Sequence, residues 1–363
     1  IFYSSPSRQL HSTRPLPLPT SFSLPLPQRV IHGHGAPPPV SPLLPRRPYH
    51  RRSRYHPGDR TGSFTHRVAA QPDDTTATTS TTPAPPAGFT PPVPKRFEVK
   101  PGQSNNIAGA ALALPFRLGT GVFVLGYGVT LVDANEISPD QYALDFQGQK
   151  VKETSKVGQC PRPAKPIEIY EFEGCPFCRK VREMVSVLDL DVLYYPCPKG
   201  SPTFRPKILE MGGKKQFPYI VDPNTGVAMY ESDDIINYLA KTYGDGSVPI
   251  MLKLGLLTTI TAGLALSGRS GKGSSYSPAK LPSQPIEIWA YEGSPFCKIA
   301  RETLVELELP HLLHSCARGS PKRQDFFEKY GIFQAPYIED PNTGVKMFES
   351  ADIVEYLRAT YAA

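Results

Sequence analysis

The sequence predicts an α/β protein in which two tandem copies of one module follow a disordered N-terminal tail and are joined by an apolar helical linker. Two observations predict this: a pattern of about 80 residues occurs twice in the C-terminal half, and 20 of the 42 prolines lie in residues 1–94. A length of 363 residues allows two or three domains. With 39% hydrophobic residues and 29 glycines, the composition excludes a wholly disordered chain and a polytopic membrane protein.

The duplication consists of short identical words that recur in the same order and spacing, apart from one residue deleted late in the second copy. Chance does not produce five such matches within one chain. The matched words are Pro-Ile-Glu-Ile at 166–169 and 285–288, Pro-Phe-Cys at 176–178 and 295–297, Gly-Ser-Pro at 200–202 and 319–321, Pro-Tyr-Ile at 218–220 and 336–338, and Asp-Pro-Asn-Thr-Gly-Val at 222–227 and 340–345.

Within the first copy, the spacing of apolar residues predicts the order β-α-β, α, β-β-α. Pro176 favours the first position of a helix that follows residue 175, Gly212 ends the next helix, and Ser232 is predicted to cap the last one. The predicted elements are strands at 167–172, 192–195, 219–221 and 227–230, and helices that start at 176 or cover 204–211 and 233–243.

The N-terminal tail holds the basic charge of the chain. Residues 1–98 contain eleven Arg and one Lys against four acidic residues, a net charge of +8, whereas the remainder has a net charge of −1. The folded part therefore has no polybasic surface for phosphates, which argues against a nucleic-acid partner. An Arg- and Ser-rich start without acidic residues before Asp59, followed by Val68-Ala69-Ala70, predicts a transit peptide over 1–69 and a location in the chloroplast stroma or at its membranes. The alternative is a basic arm that stays on the mature protein and binds a polyanion.

Two apolar stretches, residues 107–132 and 250–266, precede the modules and carry one basic residue each, Arg117 and Lys253. We predict helices that pack on the modules, because Arg117 in the middle of a membrane span costs about 2.5–3.5 kcal/mol. A membrane span, or peripheral membrane association through these stretches, is the alternative. The resulting division is 1–69 transit peptide, 70–106 disordered Thr/Pro-rich linker, 107–165 apolar helical segment and connector, 166–244 first module, 245–284 apolar helical linker and 285–363 second module.

The candidate catalytic site is Cys175-Pro176-Phe177-Cys178, at the start of a helix and straight after a strand. The free N–H groups and the dipole of a helix N-terminus favour an anion, so we expect the pKa of Cys175 to lie below its usual ~8.5. Cys175 is predicted as the nucleophile, and Cys178, one turn on, as the resolving thiol that attacks a mixed disulfide. No metal is predicted, because the sequence lacks further Cys or His at zinc-ligand spacing. The remaining alternative is a pair of inert core cysteines.

Together with Phe217-Pro218-Tyr219 and Glu231-Ser232, this site resembles those of glutaredoxins and of the N-terminal thioredoxin-like domain of glutathione S-transferases. The whole chain is similar to plastid proteins of plants and algae that carry two such domains. The resemblance implies a thioredoxin-like fold for residues 166–243 and 285–361, cis peptide bonds before the prolines at 218 and 336, and glutathione as the cofactor. The glutathione-binding residues that it implies are Phe217, Pro218, Glu231 and Ser232 in the first module and Ala335, Pro336, Glu349 and Ser350 in the second.

Two departures from this family bear on the site. Glu173 stands near the position where glutaredoxins place a Lys, so its charge is expected to repel an anionic ligand. In the second module Ser294 replaces the first cysteine and Cys297 is kept. A serine hydroxyl does not ionise near neutrality and forms no disulfide, so Ser294 is expected to cap its helix. The second module is therefore predicted to be a degenerate glutathione-binding or structural module.

These features predict a glutathione-dependent thiol-disulfide oxidoreductase that acts through the first module on protein thiols and mixed disulfides. Conjugation to a bulky electrophile is not predicted, because the short linker does not supply the helical domain that transferases use. Two alternatives stay open. One is a non-enzymatic scaffold that docks on a plastid membrane or complex, and the other is a membrane-associated isomerase similar to the prostaglandin synthase that carries Cys-Pro-Phe-Cys on this fold.

Overall fold

The structure, a computed structural model, describes residues 83–95 and 98–363. The transit peptide predicted over 1–69 lies outside the described residues. Upstream of the first module, two short helices precede an antiparallel sheet whose strand order is β1-β3-β2. These elements are α1 Ser104–Ala111, α2 Ala113–Phe116, β1 Gly128–Asp133, β2 Leu144–Phe146 and β3 Gln149–Thr154.

The prediction of a helix over the apolar stretch 107–132 is wrong beyond α2. Leu118, Gly119 and Gly121 take positive φ angles of 46°, 68° and 83°, which are incompatible with a right-handed α-helix. The chain turns at these residues and continues into β1. The helical part of the segment is therefore confined to its first turns.

The prediction of a disordered linker over 70–106 is wrong for its described C-terminal part. The ring centroid of Phe89 lies 5.2 Å from that of Tyr356 in the second module. Lys100 Nζ pairs with Asp352 and Glu355, each at 2.9 Å. These contacts tie the segment to the last helix of the chain.

Both modules have the predicted order β-α-β, α, β-β-α, and the α/β class is confirmed. The first module consists of β4 Ile167–Glu171, α3 Pro176–Val187, β5 Val192–Pro196, α4 Phe204–Gly212, β6 Tyr219–Asp222, β7 Val227–Met229 and α5 Ser232–Tyr243. The linker holds α6 Ile250–Lys253 and α7 Leu256–Ser267. The second module consists of β8 Ile286–Ala290, α8 Pro295–Glu306, β9 His311–Ser315, α9 Lys322–Tyr330, β10 Tyr337–Asp340, β11 Val345–Met347 and α10 Ser350–Tyr361.

The strands of both modules form one continuous sheet in the order β11-β10-β8-β9-β5-β4-β6-β7. The modules join where β5 and β9 pair antiparallel, with Val192 opposite Leu313 and Tyr194 opposite His311. A strand edge in each module is thereby covered by the other. The sheet, rather than the linker alone, connects the two modules.

The helices α3 and α8 lie at the centre of the molecule. Helix α3 contacts α5 and α7, and helix α8 contacts α10 and α1. Helix α2 in turn contacts α7. One core of buried aliphatic side chains extends through both modules, and among its members are Ile169, Met184, Leu188, Ile288, Leu304 and Leu357. Among the described residues, no helix is both long and apolar enough to cross a bilayer.

The segments upstream of the modules are part of the repeat. Residues 117–121 and 269–273 share the pattern Arg-x-Gly-x-Gly. Arg117 pairs with Glu183 on α3, and Arg269 pairs with Glu302 on α8, each at 2.7 Å. Arg269 is therefore the structural counterpart of Arg117. The basic residue of the second apolar stretch, Lys253, is not its counterpart.

Candidate active site

The two cysteines of the first module lie at the N-terminus of α3, as predicted. Pro176 opens the helix, and the Sγ of Cys175, at the N-cap, accepts a hydrogen bond from the Cys178 N–H at 3.2 Å. Cys175 is 5% exposed and Cys178 is 1% exposed. Hydrogen bonding from Cys178 lowers the pKa of Cys175 despite the opposing effect of burial. Burial holds the pKa of Cys178 well above its usual value.

The second module repeats this geometry with oxygen in place of sulfur. Ser294 is the N-cap of α8, and its Oγ accepts a hydrogen bond from the Cys297 N–H, also at 3.2 Å. The prediction that Ser294 caps its helix is confirmed. Cys297 is completely buried, and burial raises its pKa.

The loops that carry Pro218 and Pro336 have the implied backbone geometry, since both peptide bonds are cis. In the first module the ring of Phe217 lies 6.1 Å from that of Phe172. Phe172 also accepts a hydrogen bond from the Cys175 N–H at 3.2 Å. Phe172 thus connects the loop with Pro218 to Cys175.

The helices that begin at Ser232 and Ser350 differ from the prediction at their first residue. Glu231 and Glu349 occupy the N-cap positions with φ angles of 66° and 70°. The prediction that Ser232 is the cap is therefore wrong, since it is the first helical residue. A glutamate with positive φ is strained, and such residues concentrate at ligand sites.

Neighbouring glutamines orient both glutamates. Gln216 Nε2 donates a hydrogen bond to Glu231 Oε1 at 2.5 Å, and Gln334 Nε2 donates to Glu349 Oε1 at 2.8 Å. Near the start of α5, Lys180 on α3 pairs with Asp233. This ion pair holds the N-terminal ends of α3 and α5 together.

A cavity of about 200 Å³ lies at the site of the second module. Five of the six residues predicted there line it, and Cys297 instead faces the core. The upstream chain covers this cavity. Tyr142 and Leu144 line it, and the Lys95 N–H donates to Glu349 Oε1 at 2.6 Å. The predicted residues in the lining are Ser294, Ala335, Pro336, Glu349 and Ser350.

Sequence reasoning missed Arg323, a buried residue in the lining of this cavity. Its guanidinium lies 4.5 Å from the ring centroid of Phe333, and its Nη1 donates to the Tyr142 hydroxyl at 2.9 Å. Tyr142 is far away in the sequence and outside the repeated module, so no local pattern relates it to Arg323.

A second cavity, of about 330 Å³, lies beside Cys175 in the first module. Gly174 and Pro176 line it from the module, and Gly263, Leu266 and the loop of residues 269–274 line it from the linker. The Gly174 N–H donates to the carbonyl of Gly273 at 3.4 Å. The linker therefore builds a pocket next to Cys175, which the sequence did not predict.

The expectation that Glu173 repels an anionic ligand is wrong, because this carboxylate is neutralised in the interface between the modules. Glu173 is 1% exposed and contacts Lys298 Nζ at 2.9 Å, Arg301 Nε at 2.7 Å and Arg182 Nη2 at 3.2 Å. Although burial raises it, these three positive charges hold the pKa of Glu173 well below its usual value.

Glu173 belongs to a buried charge network that joins α3 to α8. Glu292 bridges the two helices, with Arg182 Nε at 3.0 Å and Arg301 Nη2 at 2.5 Å. Arg182 contributes to the low pKa of Cys175, whereas Glu171, whose own pKa burial raises to about 7, opposes it. The network consists of Arg117, Arg179, Arg182, Arg269, Lys298 and Arg301 with Glu171, Glu173, Glu183, Glu292 and Glu302.

Within residues 83–95 and 98–363, no group of three or more His, Cys, Asp or Glu side chains is arranged to hold a metal ion. The two remaining buried thiols, Cys197 and Cys316, are completely enclosed, and burial raises the pKa of each. Such an enclosed environment gives these two thiols a packing role.

Comparison with known proteins gives the class of both modules. Residues 169–247 and 289–363 match the family described as glutathione S-transferase, N-terminal domain. The two modules are thus tandem thioredoxin-like domains of this N-terminal type. A solved glutathione transferase of Bombyx mori is 29% identical over 23% of this chain and 38% of its own chain, with a TM-score of 0.21. The chain thus spans well under half of that transferase. No curated protein matches the chain.

Proposed function

We propose that the first module is a glutathione-dependent thiol-disulfide oxidoreductase with Cys175 as its nucleophile. The observation that carries this proposal is the position of the Cys175 Sγ, which accepts the Cys178 N–H at a helix N-terminus and has a lowered pKa. A thiolate, rather than a thiol, is the attacking species in disulfide exchange. The match of both modules to the glutathione S-transferase N-terminal domain supports glutathione as the co-substrate.

The proposed reaction has two exchange steps. The Cys175 thiolate attacks the glutathione sulfur of a mixed disulfide, and the target sulfur leaves as a thiolate that takes a proton from water. A second glutathione thiolate then attacks the glutathione sulfur on Cys175, releases oxidised glutathione and regenerates the Cys175 thiolate. The target thiol is released in reduced form, and the glutathionyl group of the mixed disulfide leaves joined to one free glutathione as oxidised glutathione. Since Cys178 is 1% exposed and its pKa is raised, its surroundings favour glutathione as the second attacking thiol.

The glutathione sites proposed from the family resemblance fit the chemistry of the residues present. The N-terminal amides of α5, beginning at Ser232, favour the γ-glutamyl carboxylate. The Glu231 carboxylate and the Gln216 amide, which donates a hydrogen bond to it, lie at the same end of α5. The backbone of Phe217, before Pro218, is assigned to the cysteinyl part. No residue role here depends on a metal.

Alkylation of the full chain with iodoacetamide as a function of pH tests the proposal, together with reduction of a glutathione mixed disulfide. We expect a Cys175 alkylation midpoint below ~8.5 and turnover that Cys175→Ser lowers to about one-hundredth or less. Cys178→Ser, the matched control, is expected to retain alkylation and turnover. An ordinary alkylation midpoint without turnover would instead support the scaffold.

A second candidate role, non-covalent glutathione binding by the second module, is favoured by the cavity that holds Ser294, Pro336 and Ser350. Calorimetric titration of Cys175→Ser with glutathione tests this role. A Glu349→Gln variant is expected to weaken binding at the second site and leave the first unchanged. If the proteins with and without Glu349→Gln bind glutathione equally, the assignment of a glutathione site to the second module is contradicted.

The plastid location predicted from residues 1–69 remains part of the proposal. A fluorescent protein fused behind these residues is expected to enter plastids. A fusion that stays in the cytosol contradicts the transit peptide and leaves the redox proposal unaffected.

A further inference from the structure

Helix α7 has its large apolar side chains on the outside. Leu256 is 75% exposed, and Leu257, Ile260 and Leu264 are 44–51% exposed. The side that packs inward carries the small residues Thr258, Ala262 and Ala265, which are essentially buried. A surface helix of a soluble domain has the opposite arrangement, because large apolar side chains are normally turned towards the core.

The exposed apolar surface continues beyond α7. Leu114 on α2, Leu118 just after it and Ile250 on α6 are 36%, 75% and 74% exposed. Arg117 joins these segments, since its Nη1 donates to Thr261 Oγ1 at 2.5 Å. We call the exposed side chains of α7, together with Leu114, Leu118 and Ile250, the outer face.

The charged residues in the segments that form the outer face are all basic. Between Glu98 and Asp133, and again between Asp245 and Glu287, the sequence has no acidic residue. Two lysines in the second of these stretches, Lys253 and Lys272, are exposed. An aliphatic surface bordered by lysines complements a layer that is apolar below and negatively charged at its surface. Apolar surfaces of this kind mark interaction sites when they are contiguous.

We propose that the outer face docks on the surface of a phospholipid bilayer that contains anionic headgroups. The aliphatic side chains enter the boundary of the acyl region, and Lys253 and Lys272 contact the headgroups. At 100° per residue, Ser267 falls between Leu256 and Ile260 on the exposed side of α7, and Gly263 falls next to Leu256. Both residues line the cavity beside Cys175. Docking therefore brings this cavity to the lipid surface.

Co-sedimentation of the full chain with vesicles tests the docking. The vesicles contain either phosphatidylcholine alone or an equal mixture of phosphatidylcholine and phosphatidylglycerol. The parent protein is expected to bind the mixed vesicles, and the double variant Leu256→Asp/Leu257→Asp to lose about tenfold in bound fraction. Leu209→Asp/Met211→Asp is the matched control, because these α4 residues are 45% and 42% exposed and the added charge is the same.

Comparison with the control also separates the outer face from the basic tail, which both variants retain. Equal binding by all three proteins would show that the tail of residues 1–98 alone is responsible, and this overturns the proposal. A parent protein that does not bind mixed vesicles overturns it as well. The proposal is also overturned if the parent protein self-associates and the Leu256→Asp/Leu257→Asp variant does not. In that case a second copy of the chain, rather than a bilayer, covers the outer face.

Discussion

The two modules present the same site in two environments. In the first module, the residues on either side of Cys175, Gly174 and Pro176, line a cavity built with the linker. In the second, Ser294 at the equivalent position itself lines a cavity that the upstream chain covers. Cys175 and Ser294 accept the same hydrogen bond at the same distance. The backbone frame is therefore maintained without the thiol, and the difference between the modules lies in the reacting atom and in what covers it.

The second module nevertheless contributes to the first site. Its Lys298 and Arg301 neutralise Glu173, which lies two residues before Cys175. Without those cations, a buried carboxylate would stand close to the proposed thiolate and oppose its ionisation. The charge network thus gives the second module an electrostatic influence on the proposed site of the first module.

The largest effect is expected from Arg182 and Arg301, which occupy equivalent positions on α3 and α8. Replacing Arg182 by Met leaves the buried Glu171 without its ion-pair partner, and replacing Arg301 by Met removes one cation from both Glu173 and Glu292. We expect each change to lower the free energy of unfolding by about 3–5 kcal/mol. Arg182→Met is expected to raise the pKa of Cys175 more than Arg301→Met does, because Arg182 lowers this pKa directly whereas Arg301 acts through Glu173. Urea unfolding and alkylation against pH measure the two effects. Identical alkylation curves for both variants contradict the proposed electrostatic difference.

The next largest effect concerns the strands that join the modules. Burial lowers the pKa of His311 on β9 to about 4, whereas the equivalent position on β5 is Val192. As the pH falls from about 6.5 towards 4, the unfolded chain binds a proton that the folded chain does not, so stability is lost in that window. We expect His311→Val to reduce the acid-induced loss in the free energy of unfolding by about 3 kcal/mol.

Urea unfolding of the parent and of His311→Val at pH 7.5 and pH 4.5 measures this difference. The Val192→Ile variant serves as a control for repacking at the same strand pair without a titratable group. An acid-induced loss of stability that is equal in the parent and in His311→Val would show that other groups carry the acid sensitivity.

A smaller effect distinguishes Gly174 from Gly293, the glycines that directly precede the N-cap residues of α3 and α8. A Cβ at Gly293 would lie 2.3 Å from Val122 Cγ2 and 2.9 Å from its Cα, whereas at Gly174 the closest atom is the rotatable Ser274 Oγ at 1.9 Å. We expect Gly293→Ala to cost about 2 kcal/mol and Gly174→Ala less than about 1 kcal/mol. Thermal unfolding of the two variants checks the order, and the reverse order contradicts it.

The sequence predicted what is encoded locally. The repeated words gave the elements of both modules, and Cys175 and Pro176 gave the helix start, because caps and periodicity depend on nearby residues. The continuous sheet through β5 and β9 was missed, since an edge strand carries no signal for its partner. The neutralisation of Glu173 by Lys298 and Arg301 was missed for the same reason. The equivalence of Arg117 and Arg269 was obscured by the strands β1 to β3, which are inserted in one copy.

The smallest effect on stability, and the sharpest comparison of the sites, is expected from Ser294→Cys in a Cys175→Ser background. The sulfur occupies the N-cap of α8 with little change in packing, so unfolding is expected to shift by less than about 0.5 kcal/mol. The new thiol should react with iodoacetamide below the ordinary midpoint, because the Cys297 N–H is in place. Turnover of a glutathione mixed disulfide is expected to stay about tenfold below that of the first module. The reason is that the Lys95 N–H donates a hydrogen bond to the Glu349 carboxylate and that Tyr142 covers the cavity. Turnover equal to that of the first module would mean that the reacting atom alone separates the two sites.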